Sequence, residues 1–117
     1  MLDKMHRVHQ EKQYRPVFAR GKKFVGRYMV CLVLTNHLDY SRFGIITSKK
    51  VGKAHERNRA KRQLRACVYE HFSCVKPGRD VVLIARNSIR DTEYKKIVKD
   101  FSILLKKSEL ENKKGKP

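Results

Sequence analysis

The chain is poor in acid, in cysteine and in long apolar runs, and each shortage removes a class of protein. Its 117 residues hold 11 Asp and Glu against 29 Lys and Arg, a formal charge of +18. A fold so unbalanced repels itself unless a polyanion neutralises it, so nucleic acid or an anionic membrane is the expected partner. No apolar stretch approaches the ~18 residues needed to span a bilayer, and the first fifteen, "MLDKMHRVHQEKQYR", lack a signal-peptide core. A cytoplasmic protein without a membrane partner is expected. The three cysteines, Cys31, Cys67 and Cys74, form no C-x-x-C pair, so neither a disulfide framework nor a structural zinc site is expected, only packed thiols in a reducing compartment. Tryptophan is absent. His6, His9, His37, His55 and His71 show no ligand-like spacing, and no metal site is expected on the protein. The acids are scattered and no histidine stands beside a plausible partner, so no protein catalytic residue is expected.

Forty per cent of the residues are apolar, enough for one folded domain of this length. A single α+β domain is expected over residues 1–108, followed by a charged tail at 109–117. Tyr14, Val17, Phe18 and Gly21 fall at three- and four-residue steps, which predicts a short helix starting near Gln13, with Pro16 in its first turn and Gly21 closing it. Phe24–Leu34 is nearly continuous in apolar character and reads as one central strand. After the turn residues "NHLDYS", Arg42–Ser48 reads as the strand that returns, and Val81–Ala85 as a third, buried strand. Asp91 or Thr92 caps a last helix with an apolar stripe through Tyr94, Ile97, Val98, Phe101, Leu104 and Leu105. The order helix, two strands, helix, strand, helix describes an α+β sandwich.

The densest charge lies in "KKVGKAHERNRAKRQLR", Lys49–Arg65, where eight cations face the single acid Glu56. At 100° per residue, Ala60, Leu64, Cys67, Val68 and His71 share one stripe, and Asn58, Arg59, Arg62, Arg65 and Tyr69 share the opposite one. Arg57 and Lys61 lie nearer the boundary. An amphipathic helix is therefore expected, not a disordered arm. Like charges three and four residues apart destabilise an isolated helix, and an idle solvated face would mix signs. A phosphate-binding face is favoured, because arginine forks bind phosphate oxygens bidentately. The glycine turn at Gly52 precedes this helix, but the segment is not a Walker loop.

"SRFGIITSKKVGKAHERNRAKRQLR" resembles the signature of the bacterial ribonuclease P protein subunit, with R-N-x-x-K-R-x-x-R carried here by Arg57, Asn58, Lys61, Arg62 and Arg65. The resemblance extends to the aromatic-rich first helix, to "DVVLIAR" and to the closing helix. It implies a two-layer α/β sandwich with a mixed sheet, a fold also seen in a ribosomal protein domain, and a left-handed strand–helix–strand crossover that the usual right-handed rule would not predict. It implies the protein subunit of an endoribonuclease whose RNA subunit carries the catalysis, with Mg²⁺ bound mainly by that RNA and by substrate. The partners it implies are the catalytic RNA and precursor tRNA, not DNA. Arg57, Asn58, Arg59, Lys61, Arg62 and Arg65 would dock on the RNA subunit. Tyr14 and Phe18, with Arg7, Lys49 and Lys50 as phosphate partners, would hold the 5′ leader that the enzyme removes. Cys31, Leu32 and Val33 stand where many relatives carry an aromatic on the first strand, so stacking from the sheet side would rest on Tyr28. A structural RNA-binding protein, such as a ribosomal protein, is the rival reading of the same charge and fold class.

Overall fold

The computed structural model describes residues 11–108. Three helices and four strands follow in the order α1 (Glu11–Arg20), β1 (Lys22–Val25), β2 (Met29–Thr35), β3 (Arg42–Ile46), α2 (Ala54–His71), β4 (Arg79–Ala85) and α3 (Tyr94–Lys107). The strands form one mixed sheet in the order β1-β2-β4-β3. β2 runs antiparallel to both β1 and β4, whereas β3 lies parallel to β4. The expected tail, 109–117, and Arg7 lie outside the described residues.

The predicted single strand Phe24–Leu34 is two strands folded into a hairpin. The Gly26 amide donates to the Met29 carbonyl at 2.8 Å. The Asp100 carboxylate, reaching across from α3, accepts the next two amides, Arg27 at 3.0 Å and Tyr28 at 2.9 Å. Two amide donors of the turn thus meet a carboxylate that is itself buried, and the turn is pinned to the helix. Asp100→Ala should leave both donors without that partner, and ionic hydrogen bonds contribute about 1.5–3 kcal/mol each. With water relieving part of the loss, the expected destabilisation is ~2–3 kcal/mol in a urea titration. A change below 0.5 kcal/mol would show that the turn closes without Asp100.

The strand predicted at Arg42–Ser48 does not return beside its predecessor. β4 inserts between β2 and β3, so α2 becomes the crossover of a parallel strand–helix–strand unit. Pairing of this kind joins segments nearly forty residues apart and leaves no local trace in the sequence. Two smaller expectations also change. Pro16 sits inside α1 rather than in its first turn, and the residue before α3 is Glu93, with no side-chain cap. Asp91 instead adopts φ of 60° in the preceding turn, and the Thr92 hydroxyl donates to the Ser88 carbonyl at 2.9 Å.

The main core lies between the sheet and the pair α2–α3. Met29, Cys31, Phe43, Val81, Leu83 and Ala85 meet Leu64, Cys67 and Val68 of α2 and Ile97, Phe101 and Leu104 of α3. The predicted apolar stripes of both helices are therefore the buried ones. His71 closes the α2 stripe, its ring edge-on to Phe101 at 5.6 Å and its Nδ1 2.8 Å from the Cys67 carbonyl. Burial pushes the Cys31 thiol up to about 12 and the Cys67 thiol to about 11, which keeps both as unreactive packing groups. On the other face of the sheet, α1 sets Val17 against Leu32 and Val82, with Tyr14 beside them.

Candidate nucleic-acid interface

β3 ends at Ile46, and Ser48 turns the chain. Its Oγ accepts the Lys50 amide at 3.3 Å, and a single 3-10 turn covers Lys49–Val51. Val51 is fully buried, whereas Lys49 and Lys50, the first two residues of the turn, are exposed. Gly52 then takes φ of 144°, which side chains other than glycine rarely adopt. Glu56 accepts the Lys53 amide at 2.9 Å, closing the helix start from within. That bond, with Arg90 nearby, holds the Glu56 carboxyl below its usual range. The lone acid of the basic segment is thus used to begin the helix and leaves the outward cations uncompensated.

Along α2 the predicted site residues divide. Asn58, Arg62 and Arg65 are exposed, and Tyr69 continues their row with 61% of its surface free. Arg57 and Lys61 are half-buried at the margin, as the helical wheel places them. Arg57 donates from Nη1 to the Gly52 carbonyl at 2.8 Å and braces the turn. Arg59, which the wheel groups with the outward residues, is half-buried instead. Its Nη2 and the neighbouring Gln63 Nε2 both donate to the Thr92 carbonyl at 3.2 Å, tying α2 to the turn before α3. Two of the six residues therefore give part of their donor capacity to the protein, while the Arg62–Arg65 pair keeps its forks turned outward.

The second group sits on the opposite face of the sheet. Tyr14 and Phe18 stack with ring centroids 6.2 Å apart and an interplanar angle of 23°. Tyr14 lies against Gly44 of β3, where an added Cβ would come within 2.7 Å of its hydroxyl and 2.9 Å of its ring. Burial against the strand raises the Tyr14 phenol above its ordinary value. Phe18 is 52% exposed and forms the free end of this platform. Gly44 is the residue that sequence reasoning missed. A glycine inside a strand is the signal for close approach, but nothing local says that a ring from α1 will occupy the space.

Tyr28 does not join the platform. It packs against the core on the α2–α3 side, with the Arg27 guanidinium 5.7 Å from its ring centroid. The sheet beneath α1 is aliphatic instead, built from Val30, Leu32, Leu34, Val82 and Ile84. Stacking from the sheet side is therefore absent among the described residues, and the aromatic surface on this face comes from α1.

An arginine row with no neighbouring acid and an aromatic pair open to solvent are what an RNA-binding domain presents, since unpaired bases stack where rings stand free. The family model for ribonuclease P matches residues 2–109 of this chain. The ribonuclease P protein component of Syntrophomonas wolfei is 44% identical over 110 residues, covering 94% of this chain and 92% of that one. That of Clostridioides difficile is 40% identical, covering 88% and 91%. Among solved structures, a Staphylococcus aureus ribonuclease P protein mutant with defective mRNA degradation activity superposes with a TM-score of 0.85 at 28% identity, covering 92% of this chain and 91% of that one. The Thermotoga maritima protein gives 0.79 at 30% identity, covering 86% and 96%. The chain belongs to the ribonuclease P protein family, the protein component of a ribonucleoprotein endonuclease of tRNA processing. No helix among the described residues is long and apolar enough to cross a membrane.

Proposed function

We propose that this chain binds the catalytic RNA of ribonuclease P through the outward face of α2 and holds the 5′ leader of precursor tRNA on α1. Arg62 and Arg65, flanked by Arg57, Asn58, Arg59 and Lys61, are the RNA-subunit contacts. Tyr14 and Phe18 carry the leader, with Lys49, Lys50 and Arg7 as phosphate partners. The observation that carries this reading is the Phe18 ring, half exposed and stacked on a tyrosine that a glycine seats. A ring kept for packing alone would be covered.

The cleavage chemistry belongs, in this reading, to the RNA and its Mg²⁺. Among the described residues no three of His, Cys, Asp and Glu gather in a way that could hold a metal ion. Four of the carboxylates are engaged with protein donors: Asp80 with Arg42, Asp100 with two amides, Glu56 with the Lys53 amide and Glu70 with the Tyr94 hydroxyl. The protein then contributes position and charge. Its cations lower the repulsion between two polyanions, which also favours metal ions already held by RNA phosphates.

Phe18→Ala in the reconstituted holoenzyme should weaken precursor tRNA binding by about 5–100-fold, the range for one stacked base. Mature tRNA, which has no leader, should bind as before. Equal losses for the two RNAs would assign Phe18 to packing and remove the leader from α1.

A further inference from the structure

One strongly charged surface belongs to neither of these faces. Where β1 begins, β2 and β4 meet at their Thr35–Arg79 pair and α3 ends, a groove of about 560 Å³ opens, within the ~300–1,000 Å³ of small-ligand sites. Arg20, Lys22, Lys76, Arg79 and Lys107 surround it, Phe24, Val33 and Leu34 line it with them, and no acid among the described residues does. Among the described residues, Arg20, Lys22, Lys76 and Lys107 have no ion-pair partner. Arg79 is held in place by its own turn, Nη1 donating to the Pro77 and Gly78 carbonyls at 3.1 and 3.3 Å.

The topology separates this groove from the leader lysines. β3 and β4 are parallel, so the start of β4 at Arg79 and the turn after β3 at Lys49 lie at opposite ends of the sheet. α1 links the two regions. Tyr14 lies over Gly44 of β3, and Arg20 in the last turn of α1 already lines the groove.

We propose that this groove is a further RNA contact, taking the phosphodiester backbone of one or two nucleotides. The cations engage the phosphates, and a ribose or base rests against Phe24. Five uncompensated cations fit a polyanion, and the volume exceeds what a bare phosphate needs. Apolar side chains among basic ones suit a nucleotide unit, with its charged and uncharged parts. The contact reads no base edge and so carries no sequence preference.

The test is a double variant, Lys22→Gln/Lys107→Gln, assembled with the catalytic RNA and titrated with precursor tRNA. Affinity for each RNA is measured from 50 to 200 mM salt, beside Arg62→Ala. Two lost phosphate contacts should lower the salt slope for at least one RNA by about 1.4–1.8, roughly tenfold in affinity across that range. An unchanged slope for both RNAs overturns the proposal. If Arg62→Ala still lowers its slope in that case, the α2 interface survives; if it does not, that reading falls as well. Loss of binding confined to vesicles of anionic phospholipid would also overturn it. Should the double variant fold poorly, the unaltered chain can be crosslinked to 4-thiouridine-substituted RNA. Crosslinked peptides containing Lys22–Phe24 or Lys107 support the groove, and crosslinks confined to α1 and α2 refute it.

Discussion

Asp80→Ala should cost this protein more stability than any other single change to a charged side chain among the described residues. Asp80 is the second residue of the interior strand β4, its side chain only 5% exposed, and takes the Arg42 guanidinium through Nε at 2.8 Å and Nη2 at 2.6 Å. Asn36 Nδ2 adds a third donor at 2.9 Å. The carboxylate therefore joins β4 to its parallel neighbour β3 and to the turn after β2. The Arg42 guanidinium is held above its usual range, first by this hydrogen bond and against the opposing effect of burial. Removing one member of a buried pair costs ~3–5 kcal/mol, largely because the other charge is left unpaired. Arg42 keeps 18% of its side chain in solvent, which places the expected loss at the lower end, about 3 kcal/mol. The thermal midpoint should fall by roughly 10–20 °C on the usual scaling for a domain of this size. Urea melts with an unchanged m-value would read the loss directly. Asp80→Ala/Arg42→Met, which removes both charges, should recover part of it. A single variant as stable as the parent would mean the pair neither holds β3 nor costs anything to break.

How far the sequence anticipated these arrangements depends on how local each one is. The register of α2 was readable because helical periodicity is local: Ala60, Leu64, Cys67 and Val68 recur at the right steps and are buried. The break between β1 and β2 was not, because the apolar run from Phe24 to Leu34 conceals it. What fixes the turn is Asp100, more than seventy residues away. The place of β3 was hidden for a related reason. β4 is covered on both faces, so its apolar run specifies burial but not a neighbour. Chemistry followed the same division. The Tyr14–Phe18 spacing was visible, whereas the Gly44 seat needed β3 to be brought beneath α1. The five cations of the groove come from four separate elements and a turn, and no window along the chain contains them together.

These differences bear on the charge-dense stretch as well. Counted along the sequence, Lys49–Arg65 holds eight equivalent cations. In the fold they have distinct tasks. Arg57 braces the Gly52 turn, Arg59 holds the loop before α3, Lys49 and Lys50 precede a buried valine, and Arg62 and Arg65 make no such bond among the described residues. Substituting Arg59 would therefore disturb the turn before α3 as well as any RNA contact. A change there reports on two things at once, whereas Arg62 and Arg65 report on the RNA alone.

Arg62→Ala/Arg65→Ala should for that reason give the largest loss of RNA affinity with the smallest structural side effect. Both side chains are exposed on one face of α2, one helical turn apart. Hydrogen bonds between charged partners contribute about 1.5–3 kcal/mol each, so two arginine forks on phosphates amount to roughly a hundredfold or more in affinity for the catalytic RNA. The salt slope should fall by about 1.4–1.8 as two counterion-releasing contacts disappear. Removing two like charges three residues apart relieves helix repulsion, so the melting temperature should stay level or rise slightly. Arg62→Lys/Arg65→Lys separates charge from geometry. Lysine retains the charge and the salt slope but lacks the bidentate fork, so affinity should recover only in part. An alanine variant that binds with full affinity and an unchanged slope would place the RNA subunit elsewhere on this chain. A stability loss above ~1 kcal/mol would show that these side chains hold the fold, contrary to their exposure.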